Sequence, residues 1–124
     1  WEYIKEAAER YDISPYLIQA VSAIESRFDP EATSGKGNCI GLMQLHKDTA
    51  KIYGVDPHDP RENIMGGAAV LAKFLDRYDG DIRKTLRKYN ATSTPAYERE
   101  VLRAFQQAKR RQTPAALSAN KSKN

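Results

Sequence analysis

Apolar residues in this chain recur at helical rather than strand spacing along most of its length. Residues 2–11 predict a short first helix. Ser14 is a good N-cap and Pro15 fits a first helical position. Ile18, Val21, Ile24 and Phe28 then share one face, predicting a helix over 15–28. Pro30 is expected to stop it by disfavouring helix at Asp29. Residues 31–42, with Gly35, Gly37 and Gly41, predict an irregular loop with room for one small hairpin. A helix follows near 46–53, closed by Gly54, and then a turn region around Pro57 and Pro60. Ile64, Ala68, Leu71, Leu75 and Tyr78 form the stripe of a long helix over about 61–78, ended by Gly80. Gly66 and Gly67 inside it each cost about 1 kcal/mol relative to alanine, which predicts another backbone packed close against them. Asp81 caps a helix whose face is Ile82, Leu86 and Tyr89. Thr94-Pro95 repeats the Ser14-Pro15 start signal before a last helix carrying Tyr97, Val101, Phe105 and Ala108.

This pattern predicts a mainly α fold, a single domain of about six helices at residues 1–108. A basic tail at 109–124 loses its periodicity after about residue 112 and is expected to be disordered. A chain of 124 residues can bury one core without staples. No apolar run approaches the roughly 18 residues of a membrane span. The lone Cys39 excludes an internal disulfide, which leaves the redox compartment open. The start at Trp1 rather than Met leads us to expect that an upstream segment has been removed. The net charge of +4 belongs to the tail: Lys109, Arg110, Arg111, Lys121 and Lys123 lie there with no acid among them, leaving fifteen basic residues against sixteen acids elsewhere. With no aromatic residues among those charges, nucleic acid is not an expected partner.

One position breaks the pattern. Glu25, in "AIESRF", sits four residues after Val21 and three before Phe28, on the face that should be burying hydrocarbon. Burying an ionised carboxylate costs several kcal/mol unless something compensates. A plain reading is a partly exposed residue paired with Lys5 or Arg27. The functional reading is a carboxyl group kept protonated by desolvation, ready to act as a general acid. Asp29, before Pro30, and Asp48, in "HKDTA", are the nearest candidates for a second carboxylate, and neither lies on an apolar face. With no second ligand at suitable spacing from His46 or Cys39, neither a metal nor a cofactor is expected.

Taken together, "IESRFDPEATS", "GLMQL", "DTAKIYGV", "DPRENIMGGAAVLAKFLDRYDGD" and "KYNA" resemble, in order and nearly in spacing, the family 1 lytic transglycosylase catalytic domain. The likeness covers roughly residues 8–106. It implies a lysozyme-like fold that cleaves the β-1,4 bond between N-acetylmuramic acid and N-acetylglucosamine in peptidoglycan without water, leaving 1,6-anhydromuramyl ends. By this resemblance Glu25 falls on the single catalytic acid/base and Ser26 on the serine that helps position the acid or the substrate. Met43 and Gln44 fall on residues lining the glycan cleft. Tyr89 and Asn90 fall on a Tyr-Asn pair whose tyrosine hydroxyl lies near the catalytic carboxyl, and Tyr97 resembles a tyrosine at the start of the last helix. The substrate's own N-acetyl group is thought to steady the intermediate in this family. The implied setting is extracytoplasmic, in the periplasm or cell wall. The implied partner is a peptidoglycan glycan strand bound by a monomer.

Two departures stand out. Asn38-Cys39 replaces Gly-Ala ahead of Gly41-Leu42-Met43-Gln44, in a loop one residue longer, and Cys39 is expected to be a small buried side chain in place of alanine. After Asn90, "ATSTP" leads almost directly to the last helix where the family has a longer connection, so one wall of the cleft should be shorter. The alternatives at this point are a goose-type-lysozyme-like muramidase, which would need a second carboxylate about 5–9.5 Å from the first, and a non-catalytic glycan-binding domain.

Overall fold

The computed structural model of the chain describes residues 1–111. The expected disorder after residue 112 therefore lies outside the described residues. Six helices carry the fold: α1 (Glu2–Tyr11), α2 (Pro15–Ser26), α3 (Lys47–Tyr53), α4 (Pro60–Arg77), α5 (Ile82–Tyr89) and α6 (Pro95–Arg111). Among the described residues no helix is long and apolar enough to cross a membrane. The start signals act as the sequence suggests: Ser14 Oγ accepts the Tyr16 N–H at 3.2 Å, Asp81 Oδ1 the Lys84 N–H at 3.1 Å, and Thr94 Oγ1 the Tyr97 N–H at 3.2 Å. Asp59 Oδ1, which the sequence reading did not single out, accepts the Glu62 N–H at 3.0 Å. Each satisfies a donor that the first helical turn leaves unpaired.

The core lies where α2 packs against α6, with α1 laid on α4 and α4 on α5. Ile18, Val21, Met43, Ala68, Leu71, Leu86 and Val101 are completely buried there. The pair of glycines in α4 makes room for side chains, not for the backbone expected from the sequence. A Cβ on Gly67 would stand 2.4 Å from Met43 Sδ, and one on Gly66 would stand 2.8 Å from Leu45 Cδ2. Such distances are far inside van der Waals contact, so the bare helix face is the slot that receives Met43 and Leu45.

Two further expectations are corrected. First, α2 ends at Ser26, not at residue 28. Arg27 and Phe28 both take left-handed backbone, with φ of 53° and 60°, and swing the chain off the helix before Pro30 is reached. Phe28 is consequently about half exposed and no part of the core face. Second, the sheet does not stop with the one small hairpin that residues 31–42 do hold: a third strand beyond that loop joins it. Strands β1 (Thr33–Ser34), β2 (Cys39–Ile40) and β3 (Leu45–His46) make a three-stranded antiparallel sheet. Ile40 opposes Leu45 and both are buried, while Ser34, Cys39 and His46 line up across the neighbouring register position. Successive residues of a strand point to opposite faces, so this second row faces away from the core.

Candidate active site

The row Ser34–Cys39–His46 forms one side of a cavity of about 490 Å³. Glu25 lies on its wall, with Gln44, Thr49, Tyr89 and Asn90. Among the described residues lining the cavity, Glu25 is the only carboxylate. Asp29 turns outward, its Oδ1 accepting the Glu31 N–H, and Asp48 is exposed at the start of α3. Neither joins Glu25.

Glu25 is desolvated but not isolated. Tyr97, from the first turn of α6, donates its hydroxyl to Glu25 Oε2 at 2.8 Å. Burial pushes the Glu25 carboxyl above the usual carboxylate range, while hydrogen bonds from Tyr97 and Asn90 pull partly the other way. Burial first, and then the neighbouring Glu25 charge, raises the Tyr97 hydroxyl well above its ordinary range, so Tyr97 stays a donor. The group against the carboxyl is thus held as O–H at any moderate pH.

Tyr89 lines the same cavity as Glu25, and its hydroxyl is raised first by burial and then by the Glu25 charge. Its hydroxyl donates to the Met43 carbonyl at 2.7 Å, so the tyrosine hydroxyl bonded to Glu25 is that of Tyr97. Met43 is fully buried, its side chain against Gly67 and its backbone bonded to Asn63 and Tyr89, and it presents no surface to the cavity. Gln44 does reach the cavity, but its amide group is engaged. Nε2 donates to the carbonyls of Ala32 at 3.0 Å and Gly41 at 2.8 Å, and Oε1 accepts the Ser34 hydroxyl. Ser26 is buried, with its proton shared between the carbonyls of Leu42 at 2.7 Å and Ser22 at 3.0 Å, which pins the end of α2 to the "GLMQ" turn. Asn90 closes α5 and accepts the Thr92 N–H and hydroxyl through Oδ1, tightening the short connection that follows.

Sequence reasoning missed three side chains. Cys39 is not a buried stand-in for alanine: it is half-exposed on the cavity face. Burial and the Glu25 charge raise its thiol, against a hydrogen bond with Ser34, so it is a thiol and not a thiolate nucleophile. His46 lines the cavity and caps α3, its Nδ1 accepting the Asp48 N–H at 3.1 Å. Asn63, 1% exposed, braces the "GLMQ" turn from below. Its Oδ1 accepts the Met43 N–H at 2.9 Å and its Nδ2 donates to the carbonyls of Ile40 at 2.7 Å and Pro57 at 2.8 Å. Its position directly before Ile64, on the buried side of a long helix, was the signal available.

Residues 2–114 match the family model of the transglycosylase SLT domain. The chain belongs to this SLT domain family. Among relatives of this SLT domain, the transglycosylase of Enterobacteria phage PRD1 is 44% identical over 97 residues, covering 77% of this chain and 36% of the relative. Membrane-bound lytic murein transglycosylase F 1 of Alkalilimnicola ehrlichii is 39% identical over 90 residues, covering 72% of this chain and 18% of the relative. The chain thus spans about a third of the first relative's length and under a fifth of the second's. In structure, the SLT domain superposes on an inactive mutant of the lytic transglycosylase Slt from Pseudomonas aeruginosa. The TM-score is 0.64 at 24% identity, over 85% of this chain and 21% of that one. The fold is therefore the mainly α, lysozyme-like fold of that enzyme.

Proposed function

We propose that this domain is a peptidoglycan lytic transglycosylase with Glu25 as its single general acid/base. The observation that carries this reading is a lone, desolvated carboxyl on the cavity wall, hydrogen-bonded by a tyrosine hydroxyl and lacking a second carboxylate among the described lining residues. In the first step the protonated Glu25 gives its proton to the glycosidic oxygen as the bond to the muramyl anomeric carbon breaks. In the second, ionised Glu25 takes the proton of the muramyl C6 hydroxyl as that oxygen bonds to the same carbon. The catalytic group ends protonated, as it began, and no water is consumed. Because the nucleophile is tethered to its own electrophile, it needs no second carboxylate to hold it.

The other residues serve this cycle in stated ways. Tyr97 donates to Glu25 Oε2 and steadies the carboxylate between the two steps. Asn90, at the end of α5, lines the same wall and favours the charged form of Glu25. Gln44 holds the strand edge and turn that line the glycan path. Ser26 ties the turn to α2 through the Leu42 carbonyl, and Tyr89 ties it to α5 through the Met43 carbonyl. Two relatives are named as transglycosylases, one of them a membrane-bound lytic murein transglycosylase; a murein substrate supports action of this domain outside the cytoplasmic membrane, at the cell wall.

Mass spectrometry of digested peptidoglycan tests the reading. Muramyl ends lighter by one water are expected. Hydrated reducing ends alone would establish a muramidase instead. Glu25→Gln is expected to lower the rate by about 10² to 10⁴, the usual contribution of a positioned general acid. An unchanged rate would remove Glu25 from the chemistry.

A further inference from the structure

A second buried carboxylate lies one residue beyond Tyr97. Glu98 is 4% exposed on the first turn of α6. Its two oxygens each lie 3.2 Å from Arg87 Nε on α5, and Oε2 also accepts the Ser93 hydroxyl at 3.3 Å. The Arg87 side chain is more than half exposed, so the pair has one wet end and one dry end. A carboxylate in a core is a poor choice for stability alone, since an apolar residue of similar volume is often neutral or better.

What the clamp joins is informative. Arg87 stands three residues before Asn90, Ser93 lies in the short connection, and Glu98 follows Tyr97. Tyr97 hydrogen-bonds Glu25 from this side, and Asn90 lines the same wall and favours the charged carboxyl. The Thr92 bonds to Asn90 wind the connection locally but reach neither helix α6 nor Arg87. The tie between the two helices at this end is the Arg87–Glu98–Ser93 cluster.

We infer that Glu98 is a positioning residue, whose clamp on Arg87 and Ser93 sets the Tyr97 hydroxyl, and beside it the end of α5, against Glu25. This rests on the transglycosylase reading for its kinetic consequence but not for its geometric one. A double-mutant cycle separates the two. The geometric readout is the titration of the Glu25 carboxyl, followed by carbon-13 NMR with no substrate present. Tyr97→Phe alone is expected to move that titration upward, because the lost hydrogen bond favoured the charged form. In a Glu98→Gln background the same Tyr97→Phe change should move it far less. The kinetic readout is cleavage of peptidoglycan. Glu98→Gln is expected to lower kcat about 10-fold with KM within about 2-fold, and Tyr97→Phe should cost about 10-fold alone but about 2-fold on top of Glu98→Gln. Equal Tyr97→Phe shifts in both backgrounds would overturn the inference, whatever the activity. Coupled titration shifts without any cleavage would keep the clamp and refute the transglycosylase reading. Should Glu98→Gln not fold, Arg87→Gln at the exposed end of the same pair carries the identical cycle.

Discussion

The two walls that meet at Glu25 are built on different principles. The wall from Ala32 to His46 is fastened by neutral side chains bonded to backbone. Asn63 takes one amide and two carbonyls, Gln44 two carbonyls, Ser26 and Tyr89 one carbonyl apiece. The wall from Tyr89 to Tyr97 is fastened by an ion pair with a solvent-exposed end and by a single hydroxyl on the carboxyl itself. Neutral bonds to buried backbone are indifferent to salt and expensive to lose, because each loss strands a polar group. A pair with an exposed end is screened and contributes less to stability. The first wall therefore belongs to the folding of the domain, and the second to the adjustment of its chemistry.

Removing a fastener from each wall should show this. On the first wall, Asn63→Ala leaves three buried backbone groups without their partner and is expected to lower stability by about 3 kcal/mol, read from denaturant melts. A loss below about 1 kcal/mol would mean that the wall does not depend on that amide. On the second wall, Tyr97→Phe should lower stability by about 1 kcal/mol or less while slowing glycan cleavage about 10-fold. If melts fell as far as for Asn63→Ala, the contrast between the walls would be lost. The smallest effect concerns Glu25 itself. Its carboxyl is raised in the folded state, so folding binds a proton that the unfolded chain has released. The domain should lose stability as pH rises from the ordinary carboxylate range through the raised Glu25 value. Glu25→Gln should melt higher than the parent above that window, and the gain should vanish below it. A gain that persisted in acid would rule out titration of Glu25 as its source.

Much of the scaffold was legible because its signals are local. Ser14-Pro15, Asp81 and Thr94-Pro95 announce helix starts through chemistry confined to a few residues. The inward position of Glu25 follows from the spacing of Ile18 and Val21 alone. What stayed hidden depends on partners distant in the chain. Nothing in Arg27 or Phe28 advertises left-handed backbone; that choice is made by the tie from Ser26 to Leu42. Two-residue strands are too short to show alternation, so the cavity row of Ser34, Cys39 and His46 emerged only with the register. The resemblance marked Met43 as a cleft residue, whereas packing sends its side chain into the slot at Gly67. Glu98 was legible by the same logic as Glu25. It lies three residues before Val101 and seven before Phe105, a carboxylate on an apolar stripe, and its partner lies eleven residues upstream.

The bond between Tyr97 and Glu25 spans 72 positions of the chain. As the polypeptide leaves the ribosome, helices α1 to α5 can gather before α6 has emerged, since domains form from the N-terminal side as synthesis proceeds. In that interval the carboxyl has no hydroxyl against it, and its side of the cavity stands open to water. Because Tyr97 rides on α6, the setting of Glu25 is complete only once α6 has docked on α2, so a partly folded domain carries the carboxyl but not its setting.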